Sequence, residues 1–485
     1  MKIKVVLLNG PCTKNFARTG RWQATSRGAS LWYPIWLAHS TSVLEDAGFE
    51  CKLIDAPAYD YSIEDTLREI KSFSPQLCII DTSTASIVYD LETAKHIKTK
   101  ISPDIKVCFV GPHASAVPED VIANEFVDFT AVSEYDYTVR ELAQRLAEDI
   151  NDSGEGVLGL RSKSDGKIIK NPTRPLIANL DELPFASRSL FKHLDITKYC
   201  LDFTLYPYMN IMTARGCPSK CIYCLWPQTL SRGKYRERSL IHVFQEIDFV
   251  LSCQPKIREF FFDDDTFTVR KERMKEFCER YISKKYSLPF SVNTRANITD
   301  EELLRLLKKA GLRCFVVGFE SGNQNILDAI KKNTRLEEME EFAKLCSRVG
   351  IQVHGDFVIG LPGETHETIE RTVNFALKLP LSTFQLSIAH PLPGTEFYNW
   401  LDKNNYLVTR DYSQWITEEG LQKCVINYPN LTHKDIEKAV YNSIKKYYLS
   451  GHFFATAMKQ IISNPLELRR YLRGGLRFLK FLAHR

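Results

Sequence analysis

Short apolar runs alternate with helical patterns through the first 150 residues. The apolar runs predict strands at residues 4–8, 50–54, 77–80, 106–110 and 129–132. Apolar positions three or four residues apart predict helices at about 35–47, 63–72, 87–99, 117–124 and 138–148. Continuous apolar runs are typical of parallel strands that are buried on both faces. Residues 1–150 are therefore predicted to form an open parallel sheet with helices on both sides.

A second alternation of apolar runs and helical patterns begins after residue 206. It predicts six strands, at residues 208–213, 259–262, 290–294, 314–319, 353–359 and 384–389. Six strand–helix units are too few to close a barrel of eight, so residues 206–410 are predicted to form a partial (β/α)6 barrel. In barrels of this kind the chemistry lies at the carboxyl ends of the strands.

The segments on either side of this barrel carry weaker patterns. Turn residues at 151–156 mark a predicted boundary, and a small hairpin is predicted around 164–166 within a connector at 151–205. We assign no chemistry to the connector. Residues 411–485 are predicted to form a helical C-terminal region, with helices at about 434–449 and from 465 to the end.

The composition is that of an ordinary globular protein. The 485 residues suffice for two or three domains, 44% of them are hydrophobic and 25% are charged. A formal net charge of +5 gives little reason to expect a polyanion, so no nucleic-acid partner is predicted. No apolar run is long enough to span a bilayer, and Met1 leads into a strand and not into a signal peptide. The predicted location is the cytoplasm.

Three of the thirteen cysteines cluster directly after the first barrel strand. Cys217, Cys221 and Cys224 have the spacing C-x3-C-x2-C, which lets one loop wrap one iron–sulfur cluster. A [4Fe–4S] cluster has four irons, so three ligands leave one iron open for a small molecule. A zinc site, a disulfide with a spare thiol and a chance grouping are the alternatives, although zinc usually needs a fourth ligand. Four other cysteines lie beside apolar runs and are predicted to be core residues: Cys12, Cys51, Cys78 and Cys108.

The cysteine loop resembles the signature of the radical S-adenosylmethionine (SAM) enzymes. The resemblance implies that Cys217, Cys221 and Cys224 hold the cluster and that SAM chelates the open iron. The reduced cluster then cleaves SAM to a 5′-deoxyadenosyl radical, which abstracts a hydrogen atom from an unactivated carbon. Tyr223 is at the position of the aromatic residue that packs against the adenine of SAM. Its alternative role is plain core packing. A reductase, flavodoxin or ferredoxin is the expected electron donor.

Polar clusters follow the predicted barrel strands and supply candidate SAM contacts. Asp264 or Asp265, after the second strand, is suited to the ammonium group of SAM, since a charged donor and acceptor form a strong hydrogen bond. After the third strand come Asn293 and Arg295, whose planar guanidinium suits a carboxylate or the ribose region. Glu320 ends the fourth strand and is a candidate for the ribose hydroxyls or the amine.

The fifth barrel strand resembles the glycine-containing turn that lies beside adenine in the radical SAM family. Val358 and Gly360 occupy the matching positions. Asp356 stands where the family often has glycine, so the match to this turn is incomplete. The resemblance implies that Val358 and Gly360 contact SAM.

Residues 1–150 resemble the flavodoxin-like, Rossmann-type cobalamin-binding domain that precedes many radical SAM modules. Ligands of such sheets bind at the carboxyl ends of the strands, where this chain has small and polar residues at 9–12, 81–84, 111–113 and 133–134. The Asp-x-His-x-x-Gly motif of cobalt ligation is absent, so no residue is assigned to cobalt. His113 lies in the corresponding loop, where a hydrogen-bonding role is the alternative. Cobalamin is an expected cofactor; the alternative is a domain that packs without it or binds substrate.

Several phrases resemble the hopanoid-biosynthesis radical SAM proteins of the J type, among them residues 224–229, 260–268 and 320–324. This resemblance implies a lipid substrate whose head-group sugar is contracted to a cyclitol ether, with Trp226 and Gln228 facing that substrate. The alternatives are a cobalamin-dependent methyltransferase, an anaerobic tetrapyrrole cyclase and, outside enzymes, an iron–sulfur sensor. A methylthiotransferase is disfavoured because a second cysteine triplet is missing from the N-terminal domain.

The final stretch, residues 466–485, mixes leucine and phenylalanine with six Arg or Lys and one acid. Such a basic amphipathic helix is able to lie on an anionic membrane or to cap the barrel with a solvated basic side. Gly474 and Gly475 each weaken a continuous helix by roughly 1 kcal/mol. This stretch is expected either to contact the inner face of a membrane peripherally or to cap the barrel.

Overall fold

The computed structural model describes residues 3–18, 23–26, 30–164, 166–298, 300–463 and 465–483. In the N-terminal half the strands are β1 (Lys4–Asn9), β2 (Phe16–Ala17), β3 (Ala24–Thr25), β4 (Glu50–Asp55), β5 (Leu77–Asp81), β6 (Lys106–Val110), β7 (Phe129–Ala131), β8 (Leu160–Ser164) and β9 (Lys167–Lys170). The helices are α1 (Ile35–Asp46), α2 (Ala56–Tyr59), α3 (Ile63–Phe73), α4 (Ile87–His96), α5 (Pro112–Ala116), α6 (Pro118–Ala123) and α7 (Asp136–Glu148), and a π-helical turn at Ile97–Ile101 extends α4.

The N-terminal sheet has the strand order β4-β1-β5-β6-β7-β8-β9. The first five of these strands are parallel, and their order is that of flavodoxin-like sheets. Alternate residues of β1 enter separate buried clusters on the two faces, Val5 and Leu7 on one and Val6 and Leu8 on the other. The predicted doubly covered parallel sheet is therefore confirmed.

Two details of the N-terminal half differ from the predictions. The hairpin β8–β9 joins the sheet by antiparallel pairing with β7, so the sheet continues past residue 150 to Lys170. The helix predicted at 117–124 is present as α6, but a separate short helix, α5, precedes it and was not predicted. Pro112 and Pro118 each occupy a first helical position, where a missing N–H costs nothing, so each begins its own short helix.

The following segment contains a 3-10 turn at Leu180–Glu182, α8 (Ala186–His193) and a second 3-10 turn at Ile196–Lys198. The barrel strands are β10 (Tyr208–Ile211), β13 (Glu259–Phe262), β14 (Phe290–Thr294), β15 (Leu312–Glu320), β16 (Gln352–Ile359) and β17 (Thr383–Ile388), and β11 (Ala214–Arg215) pairs with β12 (Arg236–Glu237). The barrel helices are α9 (Leu225–Thr229), α10 (Leu240–Cys253), α11 (Lys271–Ser283), α12 (Glu301–Ala310), α13 (Gln324–Ala329), α14 (Leu336–Val349), α15 (His366–Lys378) and α16 (Glu396–Lys403).

The barrel strands form one parallel sheet in the order β10-β13-β14-β15-β16-β17. In the described part of the chain no pairing joins β17 to β10, so the barrel is open. Each strand lies within a residue or two of its predicted position. The predicted partial (β/α)6 barrel is confirmed.

The C-terminal region contains a 3-10 turn at Tyr412–Gln414, α17 (His433–Tyr448), α18 (Gly451–Ser463) and α19 (Leu466–Ala483). The sequence predicted α17 and α19 but missed α18. Of the described residues, none belongs to a helix that is both long and apolar enough to cross a membrane.

Buried charges join the two halves of the molecule. Arg215 is 2% exposed, and its guanidinium donates to Asp136 at 2.7 Å and lies 4.4 Å above the ring of Trp36. Arg236 pairs with Glu134 at 2.6 Å. Both arginines belong to the barrel half and all three partners to the N-terminal half. The segment that leads into the cysteine loop is thereby fixed against the carboxyl edge of the N-terminal sheet.

Candidate functional site

A cavity of about 260 Å³ lies at the carboxyl ends of the barrel strands. All three clustered cysteines line it, and Cys217 and Cys221 are 8% and 9% exposed. Gln23 reaches the same wall from the N-terminal half. Among the other lining residues are Tyr223, Trp226, Asp265, Thr266, Asn293, Arg295, Glu320, Lys332, Asp356, Val358 and His390. Nine of the eleven predicted site residues therefore meet in one place, and Asp264 and Gly360 do not.

The cysteine loop is held by backbone geometry and by one glutamine. Gly216 has a φ of +89°, and an added Cβ there would lie 2.1 Å from the carbonyl oxygen of Lys234, so only glycine fits before Cys217. The side-chain amide of Gln228 donates to the carbonyl oxygens of Cys221, Ile222 and Cys224 at 3.3, 3.0 and 2.8 Å. These bonds tie both ends of the Cys221–Cys224 turn together.

The two residues expected to face substrate have different positions. Gln228 does not line the cavity, and its amide is occupied by the loop carbonyls, so its expected role is corrected to positioning the cysteine loop. Trp226 does line the cavity. Its ring packs edge-on against Trp36 of α1, with 5.8 Å between centroids. Trp226 therefore lies where the cavity meets the N-terminal half.

Asp264 and Asp265 are neighbours with separate tasks. Both carboxylate oxygens of Asp264 accept hydrogen bonds, from the Thr213 N–H at 2.6 Å, the Thr213 hydroxyl at 2.5 Å and the Ala214 N–H at 2.9 Å. This buried carboxylate fixes the strand end before the cysteine loop, which corrects the expectation of a SAM contact at Asp264. Asp265 accepts from the Gly216 N–H at 2.9 Å and lines the cavity. Asp265 remains the candidate for the ammonium group.

Replacing Asp264 with alanine is expected to lower the free energy of unfolding by about 2–4 kcal/mol, because two buried backbone N–H groups lose their acceptor. Asp264→Asn is the matched control. An amide oxygen still accepts from both N–H groups, so the asparagine variant should lose less than half as much. Urea-induced unfolding followed by circular dichroism measures both losses, and equal losses would contradict the assigned role.

Asp264 also gives unfolding a pH dependence. Burial raises the pKa of its carboxyl from 3.8 to about 6. The folded chain therefore binds this proton more tightly than the unfolded chain does. Protonation of Asp264 stabilises the folded state at low pH, and this stabilisation is lost as the pH rises from about 4 to above 6. Asp264→Asn removes the titration. Its unfolding free energy relative to wild type should rise between about pH 4.5 and pH 7, and a constant difference would contradict this.

Three further predicted residues contribute polar side chains to the cavity wall. The Asn293 amide donates to Asp263 at 3.0 Å and to the carbonyl of Asp264 at 2.9 Å. The Arg295 guanidinium approaches the Cys221 sulfur at 3.8 Å and also bonds the loop at 332–334. Glu320 pairs with Lys332 at 2.7 Å. A cation beside a cysteine ligand is suited to offset the negative charge of thiolates.

Of the remaining predicted SAM contacts, Tyr223 and Val358 line the cavity and Gly360 does not. Tyr223 lines the cavity, where burial first and the nearby Glu320 carboxylate second raise the pKa of its phenol well above the usual value. Val358 also lines the cavity. Gly360 does not; it has a φ of +99°, its N–H donates to Glu364, and its carbonyl accepts from Tyr428. Gly360 therefore occupies a turn that favours glycine, and the SAM contact at Gly360 stays a prediction.

Sequence reasoning missed several residues of the cavity wall. Lys332 follows a short helix without any motif, and it became recognisable only through its ion pair with Glu320. The Thr266 hydroxyl lies 3.5 Å from the Cys217 sulfur. Asp356 was noted only as a departure from glycine; it lines the cavity and lies 3.2 Å from the Nε2 of His354. A carboxylate at the carboxyl end of a barrel strand was the available signal for Asp356.

Comparison with known proteins identifies the family. Residues 211–376 match the radical SAM superfamily, and residues 24–143 match the B12 binding domain. An uncharacterized methyltransferase of Pyrococcus horikoshii is 31% identical over 451 residues, which cover 92% of this chain and 93% of that protein. The chain belongs to the radical SAM proteins that carry a B12-binding domain. It is therefore an enzyme of the cobalamin-dependent radical SAM type.

Two further relatives of this radical SAM enzyme are named for specific activities. The anaerobic magnesium-protoporphyrin IX monomethyl ester cyclase of Rubrivivax gelatinosus is 25% identical, over 93% of this chain and 80% of that protein. The hopanoid C-3 methylase of Methylococcus capsulatus is 26% identical, over 78% of this chain and 70% of that protein.

Solved structures share the fold of this radical SAM enzyme. The methyltransferase TsrM of Kitasatospora setae superimposes with a TM-score of 0.64 at 19% identity, over 83% of this chain and 78% of that one. The cobalamin-dependent SAM radical enzyme OxsB superimposes with a TM-score of 0.69 at 15% identity, over 99% of this chain and 72% of that one. At these identities the likeness concerns the fold alone.

The cofactors of this radical SAM enzyme are a [4Fe–4S] cluster, SAM and cobalamin. The cysteine donors fit the cluster, because three sulfurs on one loop line one cavity. In the described ranges no group of three or more His, Cys, Asp or Glu side chains converges on a single metal ion. This does not conflict with a cuboidal cluster, since each cysteine there binds a different iron.

The edge between the two halves fits a large polar macrocycle. Buried polar atoms at this edge have no hydrogen-bond partner among the described residues: Asp81 Oδ1, the Tyr135 hydroxyl and His390 Nε2. Such orphaned groups are costly unless a ligand or water satisfies them, and cobalamin carries many amides. At Gly111 an added Cβ would lie 2.1 Å from Asp81 Oδ1. His113, in the adjoining turn, is buried and bonds Thr84 at 3.0 Å through Nδ1, which agrees with a hydrogen-bonding role.

Proposed function

We propose that this enzyme transfers a methyl group from SAM to a carbon atom of its substrate. The relative that is 31% identical over nearly its full length is named a methyltransferase. The hopanoid C-3 methylase also carries that activity in its name. The ring contraction expected from the J-type resemblance has no such support. Methylation, the alternative, is therefore the better interpretation.

One observation carries the proposal: a single cavity joins the cysteine loop to the N-terminal half. Gln23 contributes to its wall, and Trp226 closes it against Trp36. When bound, the cluster and SAM supply the hydrogen-abstracting radical, and cobalamin supplies a methyl carrier. The buried Arg215–Asp136 pair holds together the two halves of the chain that would bind these groups. It also excludes water, because most of the surrounding side chains are buried.

We assign the SAM contacts to residues that line the cavity. We expect Asp265 to accept from the ammonium group of SAM, and Lys332, whose ammonium also pairs with Glu320, to donate to the carboxylate of SAM. Tyr223 offers an aromatic face within the cysteine loop. The cavity is also lined by Leu225, Val316 and Ile388, which suits an apolar substrate. We propose a hopanoid or a similar polycyclic lipid as that substrate.

The test uses the anaerobically reconstituted holoenzyme with a chemical reductant and SAM that carries a trideuterated methyl group. The acceptor is the lipid extract of a strain that lacks the gene. The expected result is 5′-deoxyadenosine together with a lipid that gains the labelled methyl group. The control omits cobalamin and should form no labelled lipid.

Two outcomes would overturn the methyltransferase proposal. One is a lipid whose structure changes while the label stays out of it, which indicates rearrangement. A parallel reaction offers a magnesium porphyrin ester, because the Rubrivivax relative is named a cyclase of such a compound. The other contradicting outcome is that no lipid gains the label while the porphyrin ester gains a new ring.

A further inference from the structure

The outer face of the α18–α19 hairpin is an exposed apolar surface. Eight of the fourteen large apolar side chains that are exposed in the described part of the chain lie on or beside it. Ile462 is 77% exposed and Leu476 is 65% exposed. The full set is Leu449, Phe454, Met458, Ile462, Leu468, Leu472, Leu476 and Leu479. Their spacing of mostly four residues puts them on one side of each helix.

The opposite face of the hairpin is already packed on the barrel. Glu467 is fully buried and accepts from Arg313 at 3.0 Å and from Arg470 at 2.6 Å. The Tyr471 hydroxyl donates to the Ser382 carbonyl at 3.1 Å. The barrel therefore covers the inner side of the hairpin, and capping of the barrel does not explain the exposed apolar outer side.

The charges near the outer face are cationic. Glu467 is the one acid in α18 and α19, and it is turned inward into its ion pairs. Arg469 and Lys459 are exposed. Arg473 lies with its guanidinium 5.2 Å from the centre of the Tyr206 ring at the edge of the hairpin. An apolar row flanked by cations complements the surface of an anionic bilayer, which has an apolar interior and negatively charged headgroups.

We propose that this outer face lies in the headgroup region of an anionic lipid bilayer. Among the described residues no helix qualifies to cross the membrane, so the hairpin lies on the bilayer and does not span it. A second copy of the chain is a poorer occupant, because a symmetric contact sets the same cations against each other.

The position of the hairpin separates membrane binding from the chemistry. Its anchor, Arg313, is near the start of β15, and Glu320 in the cavity wall is at the end of the same strand. Seven residues of strand span about 23 Å. The cavity therefore opens at the barrel end remote from the membrane. Loss of membrane binding is expected to leave SAM cleavage intact.

The test is flotation of the reconstituted holoenzyme with anionic vesicles of phosphatidylcholine that contain about 30% phosphatidylglycerol. Vesicles of pure phosphatidylcholine are the neutral comparison. Ile462→Gln/Leu476→Gln removes the two most exposed apolar side chains of the face. Ile241→Gln, at a residue 59% exposed on α10, is the matched control. We expect wild type and control to bind the anionic vesicles, and the double variant to bind them roughly tenfold more weakly.

The remaining results each decide the question. Unchanged 5′-deoxyadenosine formation by the double variant, together with weaker binding at high salt, completes the expected pattern. Failure of wild type to float with anionic vesicles overturns the proposal, as does equal binding by the double variant. A wild-type dimer in solution that the double variant loses, without vesicle binding, assigns the face to a second copy instead.

Discussion

Replacing Cys217, Cys221 and Cys224 together with alanine is expected to abolish formation of 5′-deoxyadenosine by the reduced protein. The three sulfurs are the ligands available in the cavity for the cluster, and without a cluster no electron reaches SAM. Iron content and 5′-deoxyadenosine, measured by mass spectrometry, should both fall to background. Cys253→Ala, which removes an exposed cysteine of α10, should change neither quantity.

Folding must be separated from cluster loss in that experiment. The far-ultraviolet circular dichroism of the triple variant should match that of the wild-type protein prepared without iron, because Gln228 and Asp264 hold the loop through backbone groups and not through the sulfurs. Retained 5′-deoxyadenosine in a triple variant with this spectrum would refute the cluster assignment.

Replacing Arg215 with alanine is expected to lower the free energy of unfolding by about 3–5 kcal/mol, because a buried carboxylate loses its charged partner. Arg215 is 2% exposed and pairs with Asp136, which is fully buried and otherwise accepts from Ser40 at 3.2 Å. The Glu134 carboxylate contributes less to this loss, because it keeps its ion pair with Arg236. Urea-induced unfolding measures the loss.

Two variants sharpen the test of Arg215. Arg270→Ala breaks an ion pair whose arginine is 60% exposed, and it should cost less than about 1 kcal/mol. Arg215→Lys keeps the charge but lacks the planar fork that meets Asp136 and covers Trp36, so it should restore only part of the stability. A loss at Arg215→Ala as small as that at Arg270→Ala would contradict the proposed role of the buried pair in joining the two halves.

Much of the fold follows from the spacing of apolar residues. Parallel strands buried on both faces leave unbroken apolar runs, and residues 77–80 and 259–262 are buried strands as predicted. The missed helix α18 shows where this signal fails. Its apolar residues are spread over two faces, one against the barrel and one exposed, so no single periodic stripe marks it.

The candidate site was predictable by residue type but not by orientation. Asp264 and Asp265 are adjacent acids after the same strand, and the sequence alone does not tell which one turns toward Thr213 and which lines the cavity. Gln228 is a similar case, because a glutamine beyond the cluster loop suits a substrate contact as well as a set of loop carbonyls. Both distinctions depend on the backbone path through three dimensions.

Partners distant in the sequence were beyond the reach of any motif. Arg215 lies two residues before Cys217, yet its partner Asp136 is in the N-terminal half. Lys332 meets Glu320 only because α13 brings the chain back across the end of β15. Composition and residue spacing do not predict such pairings.

The cluster and its open iron are tested most directly by electron paramagnetic resonance of the anaerobically reconstituted, reduced protein before and after SAM is added. We expect the signal of a reduced [4Fe–4S] cluster that changes when SAM binds the iron left without a cysteine. A protein that takes up zinc alone, or a cluster whose signal SAM leaves unchanged, would contradict this expectation.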